Sequence, residues 1–356
     1  MSKAFHRCLT MLVLCTVFCS CKKNKENDIY FESNSSSGEI IKEGVTYSKL
    51  EGEKLVLSQD ILSAEKIKVF DNHLYVLTNA FDKPISKFNL KGEAKEIVLT
   101  SGNGPGEVQR IVNFGFSNQN GKPTFYAADM MQKKLVYKND KKNTDIKFNK
   151  WLTNFFPISD SQILGVTLEA DKMFSVYNFS GEPIRSFGDF PPNTLTDSPF
   201  VLSQAYGGSY DYNEARDIFV AALQYTDRLM IYSNLSKEEK YLEVRGPLYY
   251  DPIFTVGNMN GRPMFAQGQD GRFSFIDVTL SKDHIICLFS GYSREELPGK
   301  ANFGDKIFIF DYNGKILKGF EISEKLLSIA YDESNNVLYG LDVSAEEEEI
   351  FRYKLK

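Results

Sequence analysis

The chain has 356 residues, enough for one large domain or two or three ordinary ones. Its formal charge is −5 and moves to −7 once Lys3 and Arg7, the only Lys or Arg in an acid-free first twenty residues, are removed; a mildly acidic chain without a basic stretch excludes binding led by nucleic-acid phosphates. The 28 Phe and 19 Tyr suit wide, half-buried strands, while the single tryptophan, Trp151, excludes repeats that need one each.

Cys8, Cys15, Cys19 and Cys21 all fall in the first twenty-one residues and leave Cys287 alone, so a disulfide framework is excluded. Lys3 and Arg7 form a basic start, and residues 9–18 an apolar stretch shorter than the ~20 residues a membrane-spanning helix needs. This reads as an export signal. Its end, Val17-Phe18-Cys19-Ser20-Cys21, resembles a bacterial lipoprotein processing site with phenylalanine where leucine is usual. The resemblance puts a lipid on Cys21, because Phe18 would crowd cleavage before Cys19; an ordinary signal peptide is the alternative. Residues 1–20 are then the signal peptide, and residues 21–44 a polar, flexible tether of roughly 25 Å reach in which Lys22, Lys23 and Lys25 can meet anionic lipid. Residues 45–356 form the folded domain.

Residues 67–107 read as one complete blade. An apolar run at 67–70 gives an inner strand, Asp71-Asn72 turn the chain, and residues 74–78 alternate back. A proline-bearing link follows at 80–84, then a third strand at 85–89, a turn at Lys91-Gly92-Glu93, and an outer strand at 95–99. The third-strand-and-turn phrase recurs as Phe88-Asn89-Leu90-Lys91-Gly92-Glu93, Tyr177-Asn178-Phe179-Ser180-Gly181-Glu182 and Phe310-Asp311-Tyr312-Asn313-Gly314-Lys315. Its physics is an Asx residue capping a turn whose glycine takes positive φ. Weaker copies turn near Asp140 and Asn234, so the spacing approaches the ~40 to 50 residues of a propeller blade. A sixth copy begins at Leu326 and ends one strand short, while residues 54–57 are an unclaimed apolar strand ahead of the first copy. The fold class is therefore all-β: a six-bladed β-propeller of four-stranded antiparallel blades, closed by an N-terminal strand that removes the open edge.

These residues resemble the six-bladed TolB-like and NHL-like propeller lipoproteins of Bacteroidota, with Gly102-Asn103-Gly104-Pro105-Gly106-Glu107 similar to the G-x-GPGE segment such proteins carry after their first blade. The resemblance implies a fold and an address, a lipid-anchored monomer of the outer membrane on its periplasmic or surface side. It implies no reaction.

The long links, residues 80–84, 100–110, 188–199, 246–272 and 291–305, all fall on the face where second and third strands and successive blades are joined, and such concentration marks a binding face. Its candidate ligand residues are Arg110, Tyr249, Tyr250, Arg262, Gln267, Tyr292 and Arg294, which combine flat apolar area with directed donors. The GPGE segment lacks the lysine and hydroxyl of a phosphate loop and reads as an inter-blade turn with Glu107 and Arg110 bonded locally. His73 and His284 begin strands beside turn acids; no metal, cofactor or catalytic set is expected, and residues 346–349 read as a solvated acidic loop. Two functions remain: a non-catalytic domain recognising a glycan, peptide or protein partner in the envelope, or a polysaccharide lyase or hydrolase with tyrosine or arginine at the centre.

Overall fold

The structure, a computed structural model, describes residues 28–35, 40–78, 84–119, 122–138, 143–237, 239–345 and 347–355. The signal segment, Cys21, most of the link at 80–84 and the turn at Asp140 lie outside them. Six four-stranded antiparallel blades follow one another. Blade 1 is Ala64–Phe70, His73–Thr78, Ile85–Asn89 and Ala94–Ile97. Blade 2 runs from Ile111–Gln119 to Asn143–Lys147, blade 3 from Leu152–Ser159 to Pro183–Phe187, and blade 4 from Gly208–Asn213 to Lys240–Arg245. Blade 5 starts at Phe275–Leu280, and one 17-residue strand, Ile316–Asp332, serves it with its first half and blade 6 with its second.

Closure follows the expected arithmetic. Strand β3, Glu53–Leu55, pairs antiparallel with Glu349–Lys354 through Leu55 opposite Ile350 and Glu53 opposite Arg352, completing blade 6. The repeated turn is the same object each time. Asn89 Oδ1 accepts from the amides of Lys91 and Glu93, Asn178 Oδ1 from Ser180 and Glu182, and Asp311 Oδ1 from Asn313 and Lys315, all at 2.9 to 3.0 Å. The following glycines, Gly92, Gly181 and Gly314, have φ of 90°, 80° and 79°. A Cβ on Gly92 or Gly181 would lie 2.1 or 2.0 Å from the carbonyl oxygen of Val56 or Lys147, so each turn is pressed against the preceding blade's outer strand. The phrase thus fixes a blade and its neighbour together.

The N-terminal segment corrects the sequence reading. β1 (Asp28–Ser35), inside the stretch assigned to a tether, forms a hairpin with β2 (Ile40–Lys49), which begins inside it and runs into the domain. β1 pairs antiparallel with the outer strand of blade 4, and β2 pairs in parallel with residues 319–321 of blade 5. Adjacent blades splay at their rims because strands twist, and the hairpin fills that wedge between blades 4 and 5. Phe31, 2% exposed, packs edge-on to Phe308 and Phe310 at 4.9 and 5.1 Å. The segment is polar overall, but its alternate residues Ile29, Phe31, Val45 and Tyr47 face the blade 4–5 core. Their partners lie some two hundred residues or more away, so local composition gave no sign of them.

Ion pairs and hydrogen bonds tie the inner strands of separate blades together across the centre of the ring. Asp277 on blade 5's inner strand accepts from Lys66 Nζ at 3.0 Å (blade 1), Ser209 Oγ at 2.5 Å (blade 4), and Ser328 Oγ at 2.6 Å and the Ile329 amide at 3.0 Å (blade 6). Burial opposes ionisation of this carboxyl, but Lys66 and the hydroxyl donors outweigh it and hold it below the usual carboxylate range. A second cross-channel pair joins Lys68 to Asp211 at 2.9 Å.

Candidate binding face and cleft

In an antiparallel four-stranded blade, the link between second and third strands and the link to the next blade emerge on the same side. The contacts agree: Met130 N donates to Arg110 O, Ser203 Oγ to Leu168 O, Thr226 Oγ1 to Tyr250 O, and Ser63 N to Glu348. Two ordered elements stand on this face that the sequence reading left as loop. One is a short helix, α1, Pro199–Ala205, started by proline at its first turn and buried through Val201, Leu202 and Ala205. The other is a two-stranded hairpin, Phe254–Met259 with Arg262–Gln267, turning at Asn260 and Gly261, whose φ are 54° and 83°. Asn-Gly between alternating strands is the strongest short hairpin signal and marked this one. The hairpin leans on α1, with Phe265 N donating to Gln204 Oε1 at 3.4 Å.

Between the hairpin base and blade 5's long link, residues 290–303, opens a cleft of about 610 Å³. Tyr225 and Phe273 form its aromatic wall, ring centroids 5.5 Å apart, and Tyr225 also packs on Phe265 at 5.0 Å. The Arg294 guanidinium lies 5.5 Å from the Phe273 ring, and Gln224, Gln269 and Asn302 supply amides around the mouth. Tyr225 lies in blade 4's short link and Gln224 beside it binds Ser274 N through its carbonyl, so the cleft spans two blades. Its lining carries no carboxylate, imidazole or thiol. Burial pushes the Tyr225 phenol above its ordinary value, with Arg294 opposing, so this hydroxyl stays protonated.

The seven sequence-derived ligand residues do not converge. Arg294 lines the cleft, and Arg262 lines a separate recess of about 300 Å³ with Phe200 and Glu169. Gln267 holds the loop through Nε2 to Arg272 O at 3.3 Å. Tyr249 and Tyr250 give their backbone amides to the Asp227 carboxylate, and Tyr249 Oη donates to Tyr30 O at 3.1 Å, clasping the N-terminal hairpin. Burial raises both phenols, Tyr249 to about 12. Tyr292 donates to Asp305 at 3.0 Å with its ring between the ammonium groups of Lys306 and Lys325, 4.5 and 4.6 Å from its centroid. Arg110 pairs with Glu65 at 2.9 Å, joining blades 1 and 2.

Other motifs resolve into structure. Glu107 Oε2 accepts from Gly104 N at 2.7 Å, so the glycine-rich turn takes its own carboxylate, while Gly106 N donates to Asp145, which Lys134 also holds at 2.9 Å. His73 Nδ1 sits 2.7 Å from Asp71 O at a strand start. Glu348 and Glu349 are not merely solvated: one caps Ser63 N and the other pairs with Lys54. Among the described residues no group of three or more His, Cys, Asp or Glu side chains could hold a metal ion. Missing from the sequence reading were Tyr225, Gln224 and Phe273, which lie in a short link or beside a strand, and Asn302, which lies in the long link at 291–305 but was not singled out; they meet only when blades 4 and 5 pack.

A ring closed by β3, with short capped turns on one face and unequal links on the other, defines a six-bladed β-propeller. The chain belongs to the TolB-like 6-blade propeller-like family, whose pattern matches residues 53–334, from the closing strand into blade 6. The hairpin β1–β2 precedes that span. The fold is similar to the crystal structure of a member of the duf4221 family from Bacteroides vulgatus ATCC 8482, with a TM-score of 0.53, 14% identity, and coverage of 93% of this chain and 99% of that one. A protein from Bacteroides fragilis NCTC 9343, described by name as exported, matches with a TM-score of 0.49 and 12% identity over 87% of this chain and 94% of that one. Comparison with curated proteins gave no match.

Proposed function

We propose that this chain is a lipid-anchored protein of the bacterial outer membrane, acylated at Cys21, whose propeller binds a glycan, peptide or protein partner without turning it over. The observation that carries the binding role is the cleft between blades 4 and 5: two aromatic faces, three amides and a guanidinium are the chemistry that stacks on a flat ligand and reads hydroxyl or amide groups around it. The competing lyase or hydrolase reading requires a base. The phenols of Tyr225, Tyr249, Tyr250 and Tyr292 are all raised, which disfavours a tyrosine base, and the cleft offers no carboxylate. The short apolar leader ending in cysteine supports the anchor. A glycan array and an envelope pull-down with the full chain test the reading. Tyr225→Ala and Arg294→Ala should each weaken a retained partner by about 1 kcal/mol or more, and Lys91→Ala on the opposite face should not. Retention unaffected by both changes, or a product accumulating with time, overturns it.

A further inference from the structure

We infer that the loop-rich face is the one the protein turns toward the membrane, and that the hairpin of residues 254–267 with the adjoining Leu248 and Tyr249 docks on the lipid surface. The inference rests on the acylation of Cys21 proposed above.

Chain length sets the geometry. The chain enters the fold at Asp28, beside the blade 4–5 link: Tyr249 Oη donates to Tyr30 O at 3.1 Å, and Lys42 Nζ lies 5.7 and 5.4 Å from the Tyr30 and Tyr249 ring centroids. Only residues 22–27 separate Asp28 from Cys21, and fully extended they span at most about 25 Å. Blade strands of 5–8 residues at ~3.3 Å each make the height between the two faces about as long as that tether. An anchor leaving from the loop-rich rim therefore favours this face, because reaching the opposite one would take up its whole length along the side of the blade.

The surface chemistry agrees. Among the described residues, large apolar side chains are exposed on this face at Leu62, Met131, Trp151 and Leu195, and elsewhere, dispersed over several blades, at Ile40, Ile41, Val56, Ile184 and Leu317, the last two just after short capped turns. Five more, Leu248, Tyr249, Ile253, Val256 and Met259, fall within twelve residues of the single blade 4–5 link. Three of these lead along or onto the projecting hairpin, where Met259 is 58% exposed. Its Cα partner across the turn is Arg262, exposed and without an ion pair among the described residues. An apolar ribbon tipped by a cation matches the headgroup boundary, where aliphatic groups enter the acyl region and guanidinium meets phosphate. Asp251 does not oppose this, since Arg228 and Arg245 both hold it. The cleft at the hairpin base then opens close to the bilayer, and its partner is presented there.

The acylated full chain is reconstituted in vesicles of phosphatidylethanolamine and phosphatidylglycerol, with or without brominated acyl chains, in a Trp151→Phe background. Met259→Trp is expected to lose about half or more of its emission in brominated vesicles, while Lys91→Trp, on the opposite face, keeps its emission. Flotation and acyl mass are measured on the same samples. A floating, acylated protein with no quenching at Met259→Trp or at a second site, Val256→Trp, overturns the docking and leaves the anchor standing. Equal quenching at Lys91→Trp and Met259→Trp also overturns it. A chain without acyl mass that fails to float overturns the anchor and the docking together.

Discussion

The two faces of this propeller are built on opposite rules. On the short-turn face the chain repeats itself: Asn89, Asn178 and Asp311 make the same pair of amide bonds, and their glycines press on the blade before. On the loop-rich face no two links are alike: glycines of positive φ such as Gly188 and Gly246 are packed against Phe174 and Tyr30, while two others stand in open space. Gly261 and Gly299, at φ of 83° and 73°, have nothing within 4 Å of a built Cβ. Identical φ therefore means different things. At Gly92, Gly181 and Gly314 it is enforced by the blade before, at Gly261 and Gly299 only by the local turn, so the repeated turns encode the fold while these two loop positions leave the chain available to a partner.

The largest expected effect comes from a group beneath both faces. Asp277→Ala removes a buried carboxylate, leaving the half-buried Lys66 without its counter-ion and Ser209 and Ser328 without their acceptor, and should cost about 3–5 kcal/mol, read by urea melts. The same carboxyl gives a pH signature. Its folded pKa is depressed, so its contribution is fully present above the unfolded value of about 3.9 and is lost as pH falls through the folded one. An Asp277→Asn variant should lose that part of the acid limb and keep the remainder; unchanged acid limbs would mean the channel pair is not stabilising.

Next in size is the contrast between glycines. Gly181→Ala meets the Lys147 carbonyl as well as the left-handed backbone and should cost about 3 kcal/mol, whereas Gly299→Ala meets the backbone cost alone, about 1 kcal/mol. Equal losses would show that the short-turn face is less tightly pressed than its geometry states. Smaller still, Asn178→Ala removes the one oxygen that accepts from two turn amides and should cost about 1 kcal/mol, while Glu296→Ala breaks an exposed pair with Arg272 and should stay between about 0 and 1 kcal/mol, both read as midpoint shifts in the same melts.

What could be read in advance followed this division. The blade template, the three capped turns and the missing sixth-blade strand were legible because each is a local pattern or a count of local patterns. Arg294, which lines the cleft, was singled out because it lies in a long link. Tyr225 and Phe273 were not, because a half-buried aromatic next to a strand looks like core until the neighbouring blade leaves its face uncovered. Tyr249 and Tyr292 carried the right chemistry but are engaged with Tyr30 and Asp305.

The N-terminal region shows where the boundary lies. Sequence alone determined that residues 54–57 would complete the ring, since a blade lacking one strand has an edge that one unclaimed strand can satisfy. It did not determine that residues 28–35 and 40–49 pair as a hairpin. Ile29, Phe31, Val45 and Tyr47 are too few to signal a core on their own, and become buried only because the twist of blades 4 and 5 opens a wedge of the right width between outer strands. Local backbone chemistry is written in neighbouring residues; the shape of a gap between distant strands exists only after the ring has closed.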